Sequence, residues 1–419
     1  MITLVEALHF RCLRYTSQIL DPFHILVGPN ASGKTTFLDA LAFLGKLVSD
    51  GPEAAIKERT ANFQDLLWNH EGKHFELALE ARIPEERKSR LKKKEFDTIR
   101  YEVRIGEVGG DGEIGIVEER GLLKKQSKKP PGQRTLFPVE PNDPHSIFSS
   151  KSRKGERTVF SKLKEGNDNF YSEVVEESGK GWYPSIRLGP HKSTLGNLHE
   201  DETRFPVSTW LKSFLSQGVQ TIMLNSLMLR KASPPGQERK FKPDGSNLPW
   251  VVADLRTKSP QRFKEWLDHV RTALPDIVDV ESAELEDVRH RYLKIHYHGG
   301  LPVPSWMASD GTLRLLALTI PAYLSEFRGV YLVEEPENGI HPGAAETVFQ
   351  SLSSAYDAQI LLATHSPVIL SLAEPEQVLC FNRTATGATD IIRGNQHPAL
   401  KNWRGDPNLS VLFASGVLG

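Results

Sequence analysis

One stretch restricts what this 419-residue chain can become. Residues 24–27, His-Ile-Leu-Val, open into Gly28-Pro29-Asn30-Ala31-Ser32-Gly33-Lys34-Thr35-Thr36, and the chain then runs on into the apolar Phe37-Leu38-Asp39-Ala40-Leu41. The pattern predicts a strand, a glycine-bounded loop and a helix. Glycines at both ends of the loop let successive backbone N–H groups turn inward, and the positive end of the following helix points at the same spot. A polyphosphate is the natural occupant. Lys34 can reach its β- and γ-phosphates, and the Thr35 hydroxyl can sit on a Mg²⁺ that bridges them. The flanking strand and apolar helix separate this interpretation from a merely tight turn.

The length allows two or three domains, or one large core carrying an elaborate insertion. A formal net charge of −1 with 25% charged residues describes an ordinary globular chain, so no global bias announces nucleic acid. There is no basic-then-apolar leader and no run near the ~18 apolar residues of a membrane span. A cytoplasmic protein without a membrane partner is expected. Cys12 and Cys380 stand far apart with no Cys-x-x-Cys pair, which indicates two buried thiols and neither a disulfide framework nor a zinc site.

Along the chain, residues 2–5 onward and 24–27 read as two strands joined by residues 10–15. Arg11 and Tyr15 could flank an adenine, or simply face solvent and core from a strand pair. Residues 61–68 form an amphipathic segment in which Gln64 is a candidate Mg²⁺ or water contact, the plain alternative being a surface turn. Between His74 and Gly121 the apolar residues alternate, as in Phe75, Leu77, Leu79 and Tyr101, Val103, Ile105, predicting antiparallel strands. Basic clusters fall at Arg87 to Lys94, at Lys124, Lys125, Lys128, Lys129 and Arg134, and at Lys151, Arg153, Lys154 and Arg157. They either meet a phosphate backbone or form solvated loops. Residues 126–155 are dense in Pro, Ser and Gly and predict a mobile surface loop. Residues 200–275 switch to helical spacing. His296 and His298 share a strand face, but no third ligand of fitting spacing follows.

Ser309-Asp310-Gly311-Thr312-Leu313-Arg314 then feeds a polar turn into an apolar helix, a second anion-binding helix start. Residues 329–333 lead into Glu334-Glu335-Pro336-Glu337, consecutive acids at the carboxyl end of a strand, where an open α/β sheet places its chemistry. Residues 359–363 lead likewise into Thr364-His365-Ser366-Pro367. This ordered set resembles the ABC-type ATPase heads of the RecF, SMC and OLD group, and most of all the stand-alone AAA-type ATPases of bacterial anti-phage systems. The resemblance covers residues 1 to about 80 and 300–385.

The resemblance implies an α/β fold: an ABC-type P-loop ATPase head with an antiparallel β subdomain and a helical lobe that carries the signature motif. The expected division is residues 1–199 for the first ATPase lobe, with a basic insertion at about 122–160, then 200–290 for the helical lobe, 291–398 for completion of the core and 399–419 for an apolar tail. It implies ATP and Mg²⁺ as cofactors, with Gly28 to Thr36 cradling the phosphates. Thr35, Gln64 and Glu334 would hold the metal, Glu335 would polarise the attacking water and His365 would sense the γ-phosphate. Ser309, Asp310 and Gly311 would bind the γ-phosphate held by the other subunit of a homodimer. That accounts for a second anion-binding turn 25 positions before the acids, when one nucleotide needs one cradle. Glu334 stands where most relatives carry aspartate and the signature turn has a single glycine, so slow turnover is expected. OLD relatives carry a nuclease domain after the histidine strand, for which residues 366–419 are too few. The expected role is a sensor ATPase controlling a separate effector, a nuclease or toxin. The alternatives are a DNA-binding repair ATPase using the basic insertion and an ATP-locked scaffold. Residues 408–419 either dock on their own core or form part of a partner surface.

Overall fold

The computed structural model describes the chain apart from residues 110–111, 127–133, 150–154, 164–165, 175–184, 326, 402–408 and 415–419. Its six-stranded core sheet has the order β10 (Val219–Ile222), β14 (Gly329–Glu334), β15 (Ala358–Ala363), β3 (Phe23–Val27), β16 (Val378–Arg383) and β17 (Thr389–Arg393). All neighbours are parallel except β17, which returns antiparallel along β16. Parallel strands covered on both faces read as unbroken apolar runs, as β3 and β15 do. The register sets Glu334 beside Ala363 and Ala363 beside Leu26. Three strands therefore finish together at one edge of the sheet.

The second sheet has eight strands, in the order β2 (Leu13–Ile19), β1 (Ile2–Phe10), β4 (His74–Arg82), β5 (Thr98–Glu107), β6 (Ile114–Lys124), β7 (Glu156–Lys162), β8 (Asp168–Phe170) and β9 (Ser185–Ile186). Every pairing is antiparallel. The helix Lys34–Asp50 lies between the two sheets and is buried around most of its girth, at Phe37, Leu38, Leu41, Phe43, Leu44 and Leu47. Phe43 meets Phe75 of the second sheet with ring centroids 5.4 Å apart, and Phe37 meets Phe381 of the first at 5.7 Å. A helix gripped on both sides holds its first turn at a fixed place on the sheet edge.

Two expectations change. Residues 1–27 hold three strands, because Arg11 adopts φ 51° and reverses the chain so that β2 pairs back along β1. The stretch 200–290 supplies the helices Pro206–Gly218, Leu248–Lys258 and Pro260–Ala273. It also gives β10 to the edge of the core sheet, and β11 (Ile277–Glu284) to a small sheet with β12 (Arg291–Tyr297) and β13 (Val303–Pro304). The run Val-Gln-Thr-Ile suits a strand, and its partner lies 111 positions away in sequence, at Val330 for Val219.

Of the apolar tail, the helix Leu409–Ala414 is described. Leu409 and Leu412 are 2% and 4% exposed and join the core cluster that contains Ile369 and Leu370. The segment docks on its own chain. Leu412→Ala should therefore cost about 2–3 kcal/mol, read as a lowered unfolding midpoint in denaturant, while Val411→Ala, on the 57% exposed neighbour, should leave it unchanged. Equal midpoints for the two variants would remove the tail from the core.

Candidate functional site

The loop at the sheet edge is built by backbone that glycine alone tolerates. Gly28 has φ 148° and Gly33 φ 103°. A Cβ on Gly28 would lie 2.1 Å from the Phe381 carbonyl oxygen, and one on Gly33 2.2 Å from Thr389 Oγ1. Both glycines let the loop sit directly against β16 and β17. The helix that starts at Lys34 has no side-chain cap and no acid in its first turn, so its leading N–H groups are left to the cleft that Gly33 to Thr36 line. Lys34 Nζ donates to the carbonyls of Gly28 at 2.7 Å and Pro29 at 2.9 Å. Burial holds its ammonium below lysine's usual range, opposed by the nearby carboxylates of Glu335 and Glu334.

Across the cleft stand the acids. Thr35 Oγ1 donates to Glu334 Oε2 at 2.7 Å, joining the first turn of the helix after β3 to the end of β14 across the intervening β15. Glu335 adopts φ 46°, a conformation costing a non-glycine residue on the order of 1 kcal/mol. It is kept there by its own N–H to the Ala363 carbonyl at 2.8 Å and by Asn338, whose Nδ2 donates to Glu335 Oε2. His365 lines the same cleft. Burial lowers its imidazole pKa, the Lys34 charge adds to that, and Glu335 and Glu337 oppose it. The shift favours the neutral imidazole over the imidazolium. The cleft measures about 570 Å³ and brings together the loop residues 30–36, Glu334, Glu335 and His365.

The donor set suits Mg²⁺. The Thr35 hydroxyl and the Glu334 carboxylate are hard oxygen ligands in direct contact, and Mg²⁺ normally completes such a set with waters and substrate phosphates. Gln64 is not among the residues lining the cleft. It sits in a short 3₁₀ turn, Phe63–Leu66, capped by Asn62, and the amphipathic segment expected over 61–68 is interrupted at extended Leu67, with left-handed Asn69 and His70 just beyond it. Its neighbours Asp65 and His70 line the cleft instead, with His70 Nδ1 3.5 Å from Asp65 Oδ1. Among the described residues no group of three or more His, Cys, Asp or Glu gathers as a metal cage. His296 instead faces Glu281 at 3.1 Å.

The turn expected to be the signature lies elsewhere. Ser309 caps the helix Asp310–Thr319, its Oγ accepting from the Thr312 N–H at 3.1 Å. Asp310 turns its carboxylate onto its own lobe, accepting from Ser226 Oγ and Arg314 Nε, each at 2.8 Å. Gly311 lets the helix start approach the turn after the acids, since a Cβ there would lie 2.9 Å from the Gly339 carbonyl oxygen. None of Ser309, Asp310 and Gly311 lines that cleft.

At the far end of the cleft, Arg11 is present but Tyr15 is not. Tyr15 packs with Leu8, Ala78 and Ile147 on the other face of its sheet, so the two cannot form a stacking pair. Arg11 is also committed to Asp39 at 3.0 Å. Sequence reasoning missed Trp68, Asn69 and the β16–β17 turn with Arg383, Thr386 and Gly387, all of which line the cleft. The Thr-Ala-Thr-Gly run was the available signal for that turn. Many described basic side chains are engaged internally: Arg87 and Arg90 with Glu202, Lys124 with Glu80, and Arg134 with Asp390. Lys128, Lys129, Lys151, Arg153 and Lys154 lie outside the described residues, as does much of the surface loop expected at 126–155.

Comparison with known proteins fits this geometry. The model of a family described as "AAA domain, putative AbiEii toxin, Type IV TA system" matches residues 23–371. Among solved structures, the chain is similar to an SMC head bound to the C-terminal winged-helix domain of ScpA, with a TM-score of 0.53 at 14% identity over 93% of this chain and 96% of that one. It is also similar to an SMC head domain from Thermotoga maritima (TM-score 0.43, 11% identity, 94% and 98% covered). A third is an Smc head domain with an extended coiled coil, bound to the C-terminal domain of ScpA derived from Pyrococcus furiosus (0.48, 12%, 93% and 95%). The first of these likenesses carries the fold, that of an ABC-type head. No curated protein matches the chain. No helix among the described residues is long and apolar enough to cross a membrane.

Proposed function

The chain belongs to the AAA-domain family described as "putative AbiEii toxin, Type IV TA system", and from that premise we propose that it binds Mg-ATP at the loop 28–36, hydrolyses it slowly, and controls a separate effector through its nucleotide state. One observation carries most weight: Thr35 touches Glu334 while Glu335 and His365 line the same cleft, and Ser309 does not. A loop, two acids and a histidine at one strand edge can hold a triphosphate and direct a water in line at its γ-phosphorus, positioning and electrostatics supplying most of the rate. Lys34 and the first helical N–H groups would neutralise the β- and γ-phosphates, Glu335 would take the water's proton, and His365 would contact the terminal phosphate. Bound between Thr35 and Glu334, Mg²⁺ would supply charge neutralisation of the phosphate oxygens. The extra methylene of Glu334 relative to aspartate supports low turnover.

A signature turn outside the chain's own cleft has a use if a second copy offers it to this chain's γ-phosphate, giving a homodimer with two ATP molecules between the subunits. The family's link to a Type IV TA system supports a role exercised through a partner protein, in keeping with anti-phage defence in the cytoplasm. The test is direct. Sedimentation of the purified chain with Mg²⁺ and a nonhydrolysable ATP analogue should show a dimer that Ser309→Arg abolishes, and phosphate release from ATP should be slow but measurable. A monomer at saturating analogue would overturn the shared-site arrangement.

A further inference from the structure

Glu337 is the acid of the Glu-Glu-Pro-Glu run that remains without a role once Glu334 and Glu335 are assigned. Its Oε1 accepts two hydrogen bonds from the neighbouring strand end, from Thr364 Oγ1 at 2.6 Å and from the backbone N–H of His365 at 3.1 Å. The Thr364 hydroxyl in turn accepts from the Ser366 N–H at 2.9 Å. The Thr364 N–H donates to the Leu26 carbonyl at 3.2 Å, on the strand that delivers the phosphate loop. On the other side, the Glu337 carbonyl accepts from the Ile340 N–H at 3.2 Å, which closes the turn after the acids. The second carboxylate oxygen, Oε2, is buried and has no hydrogen-bond partner. A half-buried carboxylate with one orphaned oxygen is a costly way to tie two turns together where an uncharged side chain would avoid the desolvation.

What it ties is specific. Glu335 and His365 leave the ends of adjacent parallel strands, and past those ends the sheet ladder no longer fixes their separation. The Glu335 N–H to the Ala363 carbonyl is the last ladder-like bond, and the Glu337 carboxylate is the next link across the gap. We propose that Glu337 is a positioning residue, whose carboxylate clamps the turn carrying Glu335 to the backbone of His365 and so fixes the spacing of the two groups about the γ-phosphate. This rests on the hydrolytic role proposed above for Glu335 and His365. Glu337 does not itself line the cleft, so loosening it should cost the chemical step and spare binding, since misplacement of about 1 Å costs rate far more than affinity.

The full-length chain carrying Glu337→Ala or Glu337→Gln would be assayed for phosphate release and for affinity to a fluorescent ATP analogue. The alanine variant should lose roughly 10–30-fold in kcat with the dissociation constant within about 3-fold of wild type. The glutamine variant keeps an acceptor at Oε1 and should recover to within about 3-fold of wild type. Hydrogen exchange at the His365 amide gives a readout independent of turnover: protected in the wild type and in Glu337→Gln, fast in Glu337→Ala. Unchanged kcat and exchange in the alanine variant would overturn the clamp, as would a glutamine variant as slow as alanine or a parallel loss of affinity. If the wild type itself released no phosphate, the hydrolytic role would fall while the exchange experiment still decided the clamp.

Discussion

Lys34→Ala should weaken Mg-ATP binding by about 10²–10⁴-fold, the result expected when two charge-assisted hydrogen bonds of about 1.5–3 kcal/mol each are removed. The geometry argues for an effect this large. Lys34 is 8% exposed and its ammonium spans the loop, donating to Gly28 and Pro29 at its mouth. Burial already disfavours its charge, and the carboxylates of Glu334 and Glu335 restore part of it. A polyphosphate entering the loop would bring the anion that this buried cation lacks, whereas alanine would leave two acids facing the phosphates with no cation between them. Calorimetric titration of ATP with Mg²⁺ present measures the loss. Lys46→Ala, towards the other end of the same helix, where the side chain pairs with Asp50 at 3.3 Å and does not line the cleft, should bind as the wild type does. Binding by Lys34→Ala within about 3-fold of wild type would mean that the loop does not hold the phosphates.

The parts of the site that were legible in sequence are those whose chemistry is local. Gly28 and Gly33 bracket a loop between an apolar strand and an apolar helix, and Glu334, Glu335 and His365 stand at or just past the ends of apolar runs that read as buried strands. That these strand ends coincide is a property of sheet order, and the parallel neighbours β14, β15 and β3 come from distant parts of the chain. The elements that were missed depend on partners far away in sequence. Val219–Ile222 looks like the frayed end of a helical lobe until β14 pairs with it, and Thr389 matters because its hydroxyl sits against Gly33 and donates to the Ser32 carbonyl at 2.9 Å.

Gln64 illustrates a different limit. A pattern can place an amide near an expected metal position, but the local turn decides which way neighbouring side chains point. Here Asn62 caps the turn and Asn69 and His70 take left-handed backbone, so Asp65 and His70 reach the cleft. Asp310 makes the same point at the signature turn. Its charge suggests a ligand contact, yet Ser226 and Arg314 hold the carboxylate inside its own lobe. Whatever anion that helix start receives would meet its backbone N–H groups and the Ser309 hydroxyl, with the carboxylate turned aside.

Glu335→Gln should reduce turnover by roughly 10²–10⁴-fold, about 3–5 kcal/mol of barrier, while ATP stays bound. Glutamine is nearly isosteric, so the φ 46° backbone and the contact with Asn338 can persist. What disappears is the ability to take a proton from the attacking water. Because the acid faces Lys34 electrostatically, removing its charge should also leave the bound phosphates slightly less repelled, and affinity should hold or rise. The variant would then trap the nucleotide-bound dimer, visible as a larger species that persists when ATP itself is used in place of an analogue. Glu334→Gln separates the neighbouring acid's role. It keeps an oxygen near Thr35 but loses charge at the expected metal position, so its defect should appear as a raised Mg²⁺ requirement that high Mg²⁺ partly repairs. No amount of Mg²⁺ should repair Glu335→Gln. Parental turnover in Glu335→Gln would take the proton-accepting role from this residue, and a Mg²⁺-repairable defect would move it to the metal.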